Sequence, residues 1–447
     1  VSESLDTSPL LAFYGDDFTG STDALESLAR QGVRTVLFTD PPTPDDLRQH
    51  PNIQAFGVAG RTRAMSPEAM EEALRPAFAS LCAVRPRFIH YKTCSTFDSA
   101  PHLGSIGRAI DVGFDVLGVS HVPVFVAAPD LGRYCALGNL FARFGTDPDV
   151  FRLDRHPSMS RHPTTPMHEA DIRLHLAGQT TRTVGLLDLP HLEMDTARRD
   201  ARLLEARHDH PIVLIDGYNA NHVATVGDLL HDFTTDGVTF VVGSSGVESA
   251  LCDRWRRDGI CPGESRFDAV TDVGPIVVLC GSCSPVTARQ IDHARAHGFT
   301  EIAFDGSVVS DTEHLLAAIV RDSIHSLEAG RSVVVHSSGA TGGNRTAVAG
   351  SAQSIGRFLG TVASRVLERT LVRRVAVAGG DTSSEIARVL RIRSVEMIGE
   401  LTRGSPLCRA AAPGSPADGR EFTFKGGQIG PADFFTRVRH GTATTSE

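Results

Sequence analysis

The sequence predicts an α/β protein of two domains, each a mainly parallel sheet flanked by helices, with the active site in the cleft between them. Short apolar runs alternate with helical patterns in both halves, as expected of parallel strands joined by crossover helices. The chain has 447 residues, more than one hydrophobic core usually serves. In each half an apolar run also breaks into a loop of glycine, acid and hydroxyl residues. Such strand-to-helix junctions are where open α/β sheets bind ligands.

In the first half, apolar runs end near Tyr14, Phe38, Tyr91, Ala127, Leu187, Ile215 and Val242. Ser66-Pro67 is a helix start, with serine as cap and proline at the first helical position. Apolar residues at helical spacing follow as far as Cys82. The segment Pro148 to Gln179 interrupts the rhythm with Arg155-His156-Pro157, Arg161-His162-Pro163 and Pro166-Met167-His168. Proline at this density excludes a regular helix or inner strand, and predicts a lid or binding loop. A charged, glycine- and proline-containing stretch between Asp253 and Gly274 marks the expected boundary. It divides a substrate domain, 1–258, from a nucleotide domain, 259–447. In the second half, strands are expected to end near Cys280, Phe304, His336, Ala378 and Glu400, with helices starting near Pro285, Asp311, Ser351 and Thr382. A short strand, Glu421 to Lys425, and a last helix close the chain, and residues after Arg439 read as a frayed tail.

Hydrophobic residues make up 41% and charged residues 22%, ordinary for a soluble globular protein. A formal net charge of −9 argues against nucleic acid or a membrane surface as partner. No run is long enough to span a bilayer and the N-terminal residues do not read as a signal peptide. The eight cysteines are dispersed, which reads as reduced thiols in a cytoplasm. Cys280 and Cys283 form a single CxxC with no second pair, so a tight turn is favoured over a zinc or redox site.

Leu10-Leu11-Ala12-Phe13-Tyr14 runs into Gly15-Asp16-Asp17-Phe18-Thr19-Gly20, with Asp23 a few residues on. A carboxylate at a strand's carboxyl end can accept polyol hydroxyls or serve as general base. Helix capping explains one such acid, and two adjacent acids less well. Lys92-Thr93-Cys94-Ser95-Thr96 follows another strand and can cradle a carboxylate or phosphate. Arg61 and Arg63 follow a further apolar run, and arginine suits bidentate carboxylate binding. His156, His162, His168 and His175 with Asp171 invite a metal reading. Their spacing matches no strong zinc motif, so no metal ligands are assigned and a substrate-side loop is favoured.

The second half carries Gly281-Ser282-Cys283-Ser284, Gly379-Gly380-Asp381-Thr382-Ser383 and Gly426-Gly427-Gln428-Ile429-Gly430, with His336-Ser337-Ser338-Gly339 as a fourth candidate. Glycine lets the backbone approach phosphate, and helix N-termini offer it free N–H groups. Neither a P-loop signature nor GxGxxG after a strand is present.

Together, these motifs resemble those of the four-carbon acid sugar kinase family, formerly a domain-of-unknown-function family, over nearly the whole chain. The resemblance implies an N-terminal domain that binds an acid sugar and a C-terminal domain that binds ATP. Asp17 and Lys92 would be substrate-side, with Ser284, Gly379 to Thr382 and Gly427 nucleotide-side. Two departures stand out. Many relatives have leucine-arginine-glycine where this chain has Phe97-Asp98-Ser99, and Lys-Ser-Gly where it has Lys425-Gly426-Gly427. The insert His156 to Asp171 resembles a branch found beside RuBisCO-like proteins, where branched 3-oxo acids such as 3-oxo-isoapionate are processed.

The expected enzyme is an ATP-dependent kinase acting on a hydroxyl of a small sugar acid, with Mg2+ bridging the phosphates. Asp16 or Asp17 would orient the acceptor hydroxyl. Lys92 with Arg61 or Arg63 would hold the carboxylate, with Ser95 and Thr96 completing the acceptor side. Ser282, Ser284, Gly379, Gly380, Asp381, Thr382, Gly426, Gly427 and Gly430 would cradle the nucleotide. The base stays open among Asp16, Asp17, Asp98 and Asp381, as do the acid, the hydroxyl and assembly into a homo-oligomer. Two rivals remain: a metal-dependent sugar-acid aldolase or dehydratase, and a non-catalytic nucleotide sensor.

Overall fold

The computed structural model describes residues 8–144, 148–162, 164–233, 237–281, 284–306, 313–337 and 352–441. The chain forms two compact units. The first holds residues up to Asp16, Ser27–Thr35 and Pro41–Ser265; the second holds Asp17–Glu26, Val36–Asp40 and the chain from Arg266 onward.

The strands in chain order begin with β1 (Leu11–Gly15), β2 (Thr35–Phe38), β3 (Ala55–Ala59), β4 (Phe88–Lys92) and β5 (Val122–Phe125). Then come β6 (Arg133–Ala136), β7 (Asn139–Arg143), β8 (Val150–Arg152), β9 (Val184–Leu187), β10 (Ile212–Ile215) and β11 (Thr239–Gly243). The rest are β12 (Val277–Cys280), β13 (Thr300–Ala303), β14 (Val333–His336), β15 (Arg374–Ala378), β16 (Ser394–Thr402), β17 (Ser405–Ala411) and β18 (Glu421–Lys425).

In the first unit a parallel sheet runs in the order β3-β1-β4-β11-β5-β10-β9. Strands β1, β3, β4 and β11 are buried along their whole length. Strands of a parallel sheet covered by helices on both faces read as continuous apolar runs in this way. The register places Gly15 opposite both Ala59 and Lys92, and Lys92 opposite Gly243. The carboxyl ends of four strands are therefore level. The order reverses between β1 and β4, the switch point at which such sheets open a ligand crevice. The Ser66-Pro67 expectation holds: the helix Pro67–Ala83 is capped by the Ser66 hydroxyl and buries Met70, Leu74, Phe78 and Leu81. Phe78, Tyr91 and Tyr14 pack edge-to-face or stacked beneath the strand ends.

A separate antiparallel sheet, β6-β7-β8, belongs to the same unit. Among its described residues, the proline-rich segment after it holds short 3-10 turns and the helix Ile172–Ala177, with Asp171 as its cap. His168 precedes that helix, so His168, Asp171 and His175 do not share one helix face.

The second unit orders its strands β13-β14-β12-β15-β18-β17-β16-β2. Pairing is parallel from β13 to β18 and antiparallel from β18 to β2. Here too the order reverses beside the first strand, between β12 and β15. Cys280 lies opposite His336 and Ala378, and Ala378 opposite Lys425, so four loops leave one edge together. The core beneath includes Ile276, Val278, Ile291, Ala376, Phe434 and Phe435.

The division differs from a single cut after residue 258. Phe18 packs its ring on Phe424 at 4.7 Å between centroids, and Leu37 and Phe38 pair with Val395 and Ser394. Two N-terminal stretches thus complete the second unit's sheet and core.

Candidate functional site

Asp16 follows β1 at the edge of the first sheet and is 2% exposed. Arg63 holds both its oxygens, with Nε to Oδ2 at 3.0 Å and Nη2 to Oδ1 at 2.7 Å. The Asp16 amide donates to the Lys92 carbonyl at 2.9 Å, and the Arg63 amide to the Asp16 carbonyl at 3.0 Å. Three expected site residues, Asp16, Arg63 and Lys92, therefore meet. Their roles differ from a simple carboxylate clamp, because Arg63 directs its fork to Asp16. Lys92 is 1% exposed and donates to the Thr93 carbonyl at 3.1 Å. Arg61 and Ser95 are half-buried, and Thr96 is buried against the Cys94 sulfur.

Asp17 belongs to the second unit and realises the capping geometry. Its Oδ1 accepts from the Gly20 amide at 2.7 Å and its Oδ2 from the Thr19 hydroxyl at 2.9 Å, at the start of the helix Phe18–Arg30. Capping does not exhaust the residue. A Cβ on Gly380 would lie 3.1 Å from Asp17 Oδ2 and 3.5 Å from Thr19 Oγ1. A side chain there would press on the carboxylate by a few tenths of an ångström, so the glycine lets the loop and the carboxylate lie in close contact.

Three of the four loops of the second sheet, those after β12, β15 and β18, are tied to one another. Gly379 has φ +120°, open to glycine, and leads into the helix Gly380–Val389. Its amide donates to the Lys425 carbonyl at 2.9 Å. Gly281 packs on Thr382, whose Oγ1 a Cβ there would meet at 2.1 Å. The Ser284 hydroxyl caps the helix Pro285–Ala296 through the Thr287 amide and also donates to the Gly427 carbonyl. Two helix N-termini, at Pro285 and Gly380, thus open at the edge where the glycine loops leave the sheet, an arrangement suited to polyphosphate. Asp381 is exposed in the first turn of its helix. Ser282, Cys283, Ser338 and Gly339 lie outside the described residues.

The sequence reading missed three residues here. Lys425 is 0% exposed, with Nζ donating to Thr287 Oγ1 at 3.1 Å. Burial lowers its pKa to about 8, against a smaller opposing influence from Cys280. Thr287 also donates to the Gly427 carbonyl at 3.1 Å. The Gln290 amide donates to the carbonyls of Ile429, Gly430 and Pro431 at 3.0, 3.1 and 3.0 Å, fixing the last loop. The available signal was a lysine ending an apolar strand directly before a glycine pair.

The histidines of the proline-rich segment pin loops. His156 Nδ1 accepts from the amides of Ser158 and Met159, and His162 Nδ1 from that of Thr165. His175 bonds Ser99 and Gln179, and burial lowers its pKa to about 4. Among the described residues no group of three or more His, Cys, Asp or Glu could hold a metal ion. Cys280 is buried, its thiol pushed up to about 12 by burial, which disfavours the thiolate that metal or redox chemistry needs. No helix of the described residues is long and apolar enough to cross a membrane.

Comparison with known proteins finds two domain models in sequence order. Residues 11–251 match the sugar-binding N-terminal domain model, and residues 277–435 the nucleotide-binding C-terminal domain model. The chain is 43% identical to the 3-oxo-isoapionate kinase of Paraburkholderia graminis, covering 97% of this chain and 94% of that one. It is 28% identical to the 3-oxo-tetronate kinase of Cupriavidus necator, covering 96% of each. The fold matches a solved structure from Salmonella typhimurium LT2 with a TM-score of 0.77 at 24% identity, over 96% of this chain and 97% of that one. Haemophilus influenzae protein HI1011 matches with a TM-score of 0.70 at 21% identity, over 96% and 98%. With both domain models matched in order and a relative of this identity aligned along nearly its full length, the chain belongs to the four-carbon acid sugar kinase family.

Proposed function

We propose that this sugar-acid kinase transfers the γ-phosphoryl group of ATP to a hydroxyl of a branched 3-oxo acid, with 3-oxo-isoapionate the first acceptor to test. The observation that carries the nucleotide half is the edge of the second sheet. Glycine loops and two helix N-termini leave it together, with the buried Lys425 amine among them. Backbone amides read phosphate without needing a surface charge. The acceptor half is read at the edge of the first sheet, around Asp16, Arg63 and the Lys92–Thr96 loop. The acid's identity rests on the relative named for 3-oxo-isoapionate, whose identity to this chain exceeds that of the 3-oxo-tetronate kinases.

Phosphoryl transfer is mostly positioning and charge stabilisation. Asp17 is assigned to orient the acceptor hydroxyl, because its carboxylate lies against Gly380 at the nucleotide loops. Asp16, held on both oxygens by Arg63, is assigned to fix the end of β1. The donor chemistry of Asp17 and Asp381, one or two carboxylates beside an amide cradle, fits a Mg2+ ion carried on ATP phosphates. When bound, that ion offsets charge on the phosphate oxygens.

ADP release from Mg-ATP should be measured against a panel of tetronates, 3-oxo-tetronates and 3-oxo-isoapionate. The proposal expects release that depends on acid and is fastest with 3-oxo-isoapionate. Equal or faster release with a linear 3-oxo-tetronate would overturn the branched-acid assignment. ATP binding without release for any acid would favour the nucleotide-sensor reading.

A further inference from the structure

We infer that Arg133 and Asp98 form the acid-recognition pair of the sugar-binding unit, Arg133 taking the substrate carboxylate and Asp98 a substrate hydroxyl. The inference rests on the kinase reading above and names the groups that would select its acceptor.

The pair is defined by what it lacks. Asp98 is 9% exposed, and its buried Oδ1 has no hydrogen-bond partner among the described residues. Arg133 Nε is likewise buried and unpartnered. Leaving a buried polar atom unsatisfied is costly, and native proteins rarely accept it without cause. Here two such atoms of opposite polarity belong to neighbouring groups. Arg133 feels the charges of Cys94 and Asp98, and Asp98 also acts on Cys94 in the loop after β4. Yet no ion pair closes between them among the described residues. A ligand carrying an anion and a hydroxyl would satisfy both at once.

Each partner is held in place from behind. Arg133 Nη1 donates to the Leu131 carbonyl at 2.7 Å, while neither Nε nor Nη2 makes a hydrogen bond among the described residues. That Nε–Nη2 edge is the fork that binds carboxylate in a bidentate manner. Asp98 follows Phe97, a fully buried residue with φ +55°. A bulky residue in the left-handed region is strained, and such strain persists where the surroundings enforce it, often at ligand sites. The enforcement is visible. The Phe97 amide donates to the Cys94 carbonyl at 2.9 Å, and the Ser99 hydroxyl donates to the Phe97 carbonyl at 3.1 Å. Ser99 is itself held by His175 and Gln179 at 2.8 and 3.0 Å. The pinned histidine of the proline-rich segment therefore serves the loop that carries Asp98.

The assignment explains why Arg63 and Lys92 make poor carboxylate anchors, since Asp16 and the Thr93 carbonyl already engage them. It also gives the small β6-β7-β8 sheet a purpose: it begins at Arg133.

Arg133→Met, Arg133→Lys and Asp98→Asn should be assayed with Mg-ATP and the acid the native enzyme phosphorylates, and with that acid's neutral methyl ester. Arg133→Met should raise KM for the acid at least about thirtyfold. KM for ATP should stay within about twofold, and preference for acid over ester should disappear. Asp98→Asn should raise KM for acid and ester alike. An Arg133→Met enzyme with native KM for the acid and native preference over the ester would overturn the inference. Should the native enzyme phosphorylate no acid, the kinase reading fails first. The inference is then read from melting temperature: an acid-dependent rise in the native protein, lost in Arg133→Met, supports it. No rise, or a rise retained in the variant, overturns it.

Discussion

The two sheet edges, proposed above as the acceptor and nucleotide sites, are built from different materials. The first is built from charge: Asp16 locked to Arg63, Lys92 buried against a carbonyl, and Asp98 and Arg133 close enough to interact without a direct ion pair. The second is built from backbone: glycines at 281, 379, 380, 426 and 430, two helix N-termini, and hydroxyls of Ser284 and Thr287 that tie loop to loop. Its buried cation is Lys425. On the proposed reading, the contrast follows the chemistry of the ligands. A triphosphate is the same in every kinase and can be read by main-chain amides. A sugar acid differs from its competitors by single hydroxyls and branches, and side chains with directional partners are needed to tell them apart.

Breaking each edge should therefore have different consequences. The largest effect is expected for Asp17→Asn. Asparagine is as good a cap as aspartate, so the helix Phe18–Arg30 should persist. Turnover should fall about a hundredfold or more, with ATP affinity within about threefold by calorimetry. Native turnover in the folded variant would remove Asp17 from the mechanism.

Arg63→Met comes next. It strands the buried Asp16 carboxylate, and removing one partner of such a pair costs about 3 kcal/mol. Denaturant unfolding should show that loss, and Asp16→Asn with Arg63→Met should recover part of it. An unchanged midpoint would mean the pair has no structural role.

Lys425 sharpens the comparison through pH. Its folded pKa of about 8 lies below the ordinary 10.5, so the buried amine is charged below about 8 and its desolvation cost is then fully present. As pH rises from about 8 towards 10.5, the folded protein loses this proton before the unfolded chain does. Stability without ligand should therefore increase over that interval. Polyphosphate affinity should move oppositely, falling about fivefold as the amine neutralises, on the order of 1 kcal/mol. Lys425→Met should abolish both trends relative to the native protein.

The smallest effect is expected for Ser284→Ala, which removes a helix cap and the tie to Gly427. Stability should fall by about 1 kcal/mol, and KM for ATP should rise a few-fold while KM for the acid stays put.

The parallel strands were legible because burial on both faces leaves unbroken apolar runs such as Ile212–Ile215 and Val333–His336. Of the antiparallel strands, β2 and β16 were expected, with runs ending near Phe38 and Glu400, whereas β6, β7, β8 and β17 were not. The strands of the β6-β7-β8 sheet are short and carry Arg133, Asn139, Arg143 and Arg152 among their residues. Strand β17 carries Pro406 and Arg409. The half-exposed strands of the small sheet lack the run that marks an inner one, and in the inner strand β17 these two residues interrupt it. The strand-end loops were legible because glycine, acid and hydroxyl residues cluster locally. Their wiring was not: Asp16 finds Arg63 47 residues away, and Lys425 finds Thr287 138 residues back. Nothing local marks Arg133, whose buried Nε has no hydrogen-bond partner among the described residues. Phe97-Asp98-Ser99 was visible as a departure from relatives, but only φ at Phe97 shows that the loop is strained.

The most direct test of the account is phosphorus NMR of a reaction holding the protein, Mg-ATP and 3-oxo-isoapionate. The account predicts a new phosphomonoester resonance growing in step with ADP, and neither signal without the acid. ADP accompanied by inorganic phosphate and no ester, or ester formation that does not require the carboxylate of the acceptor, would contradict it.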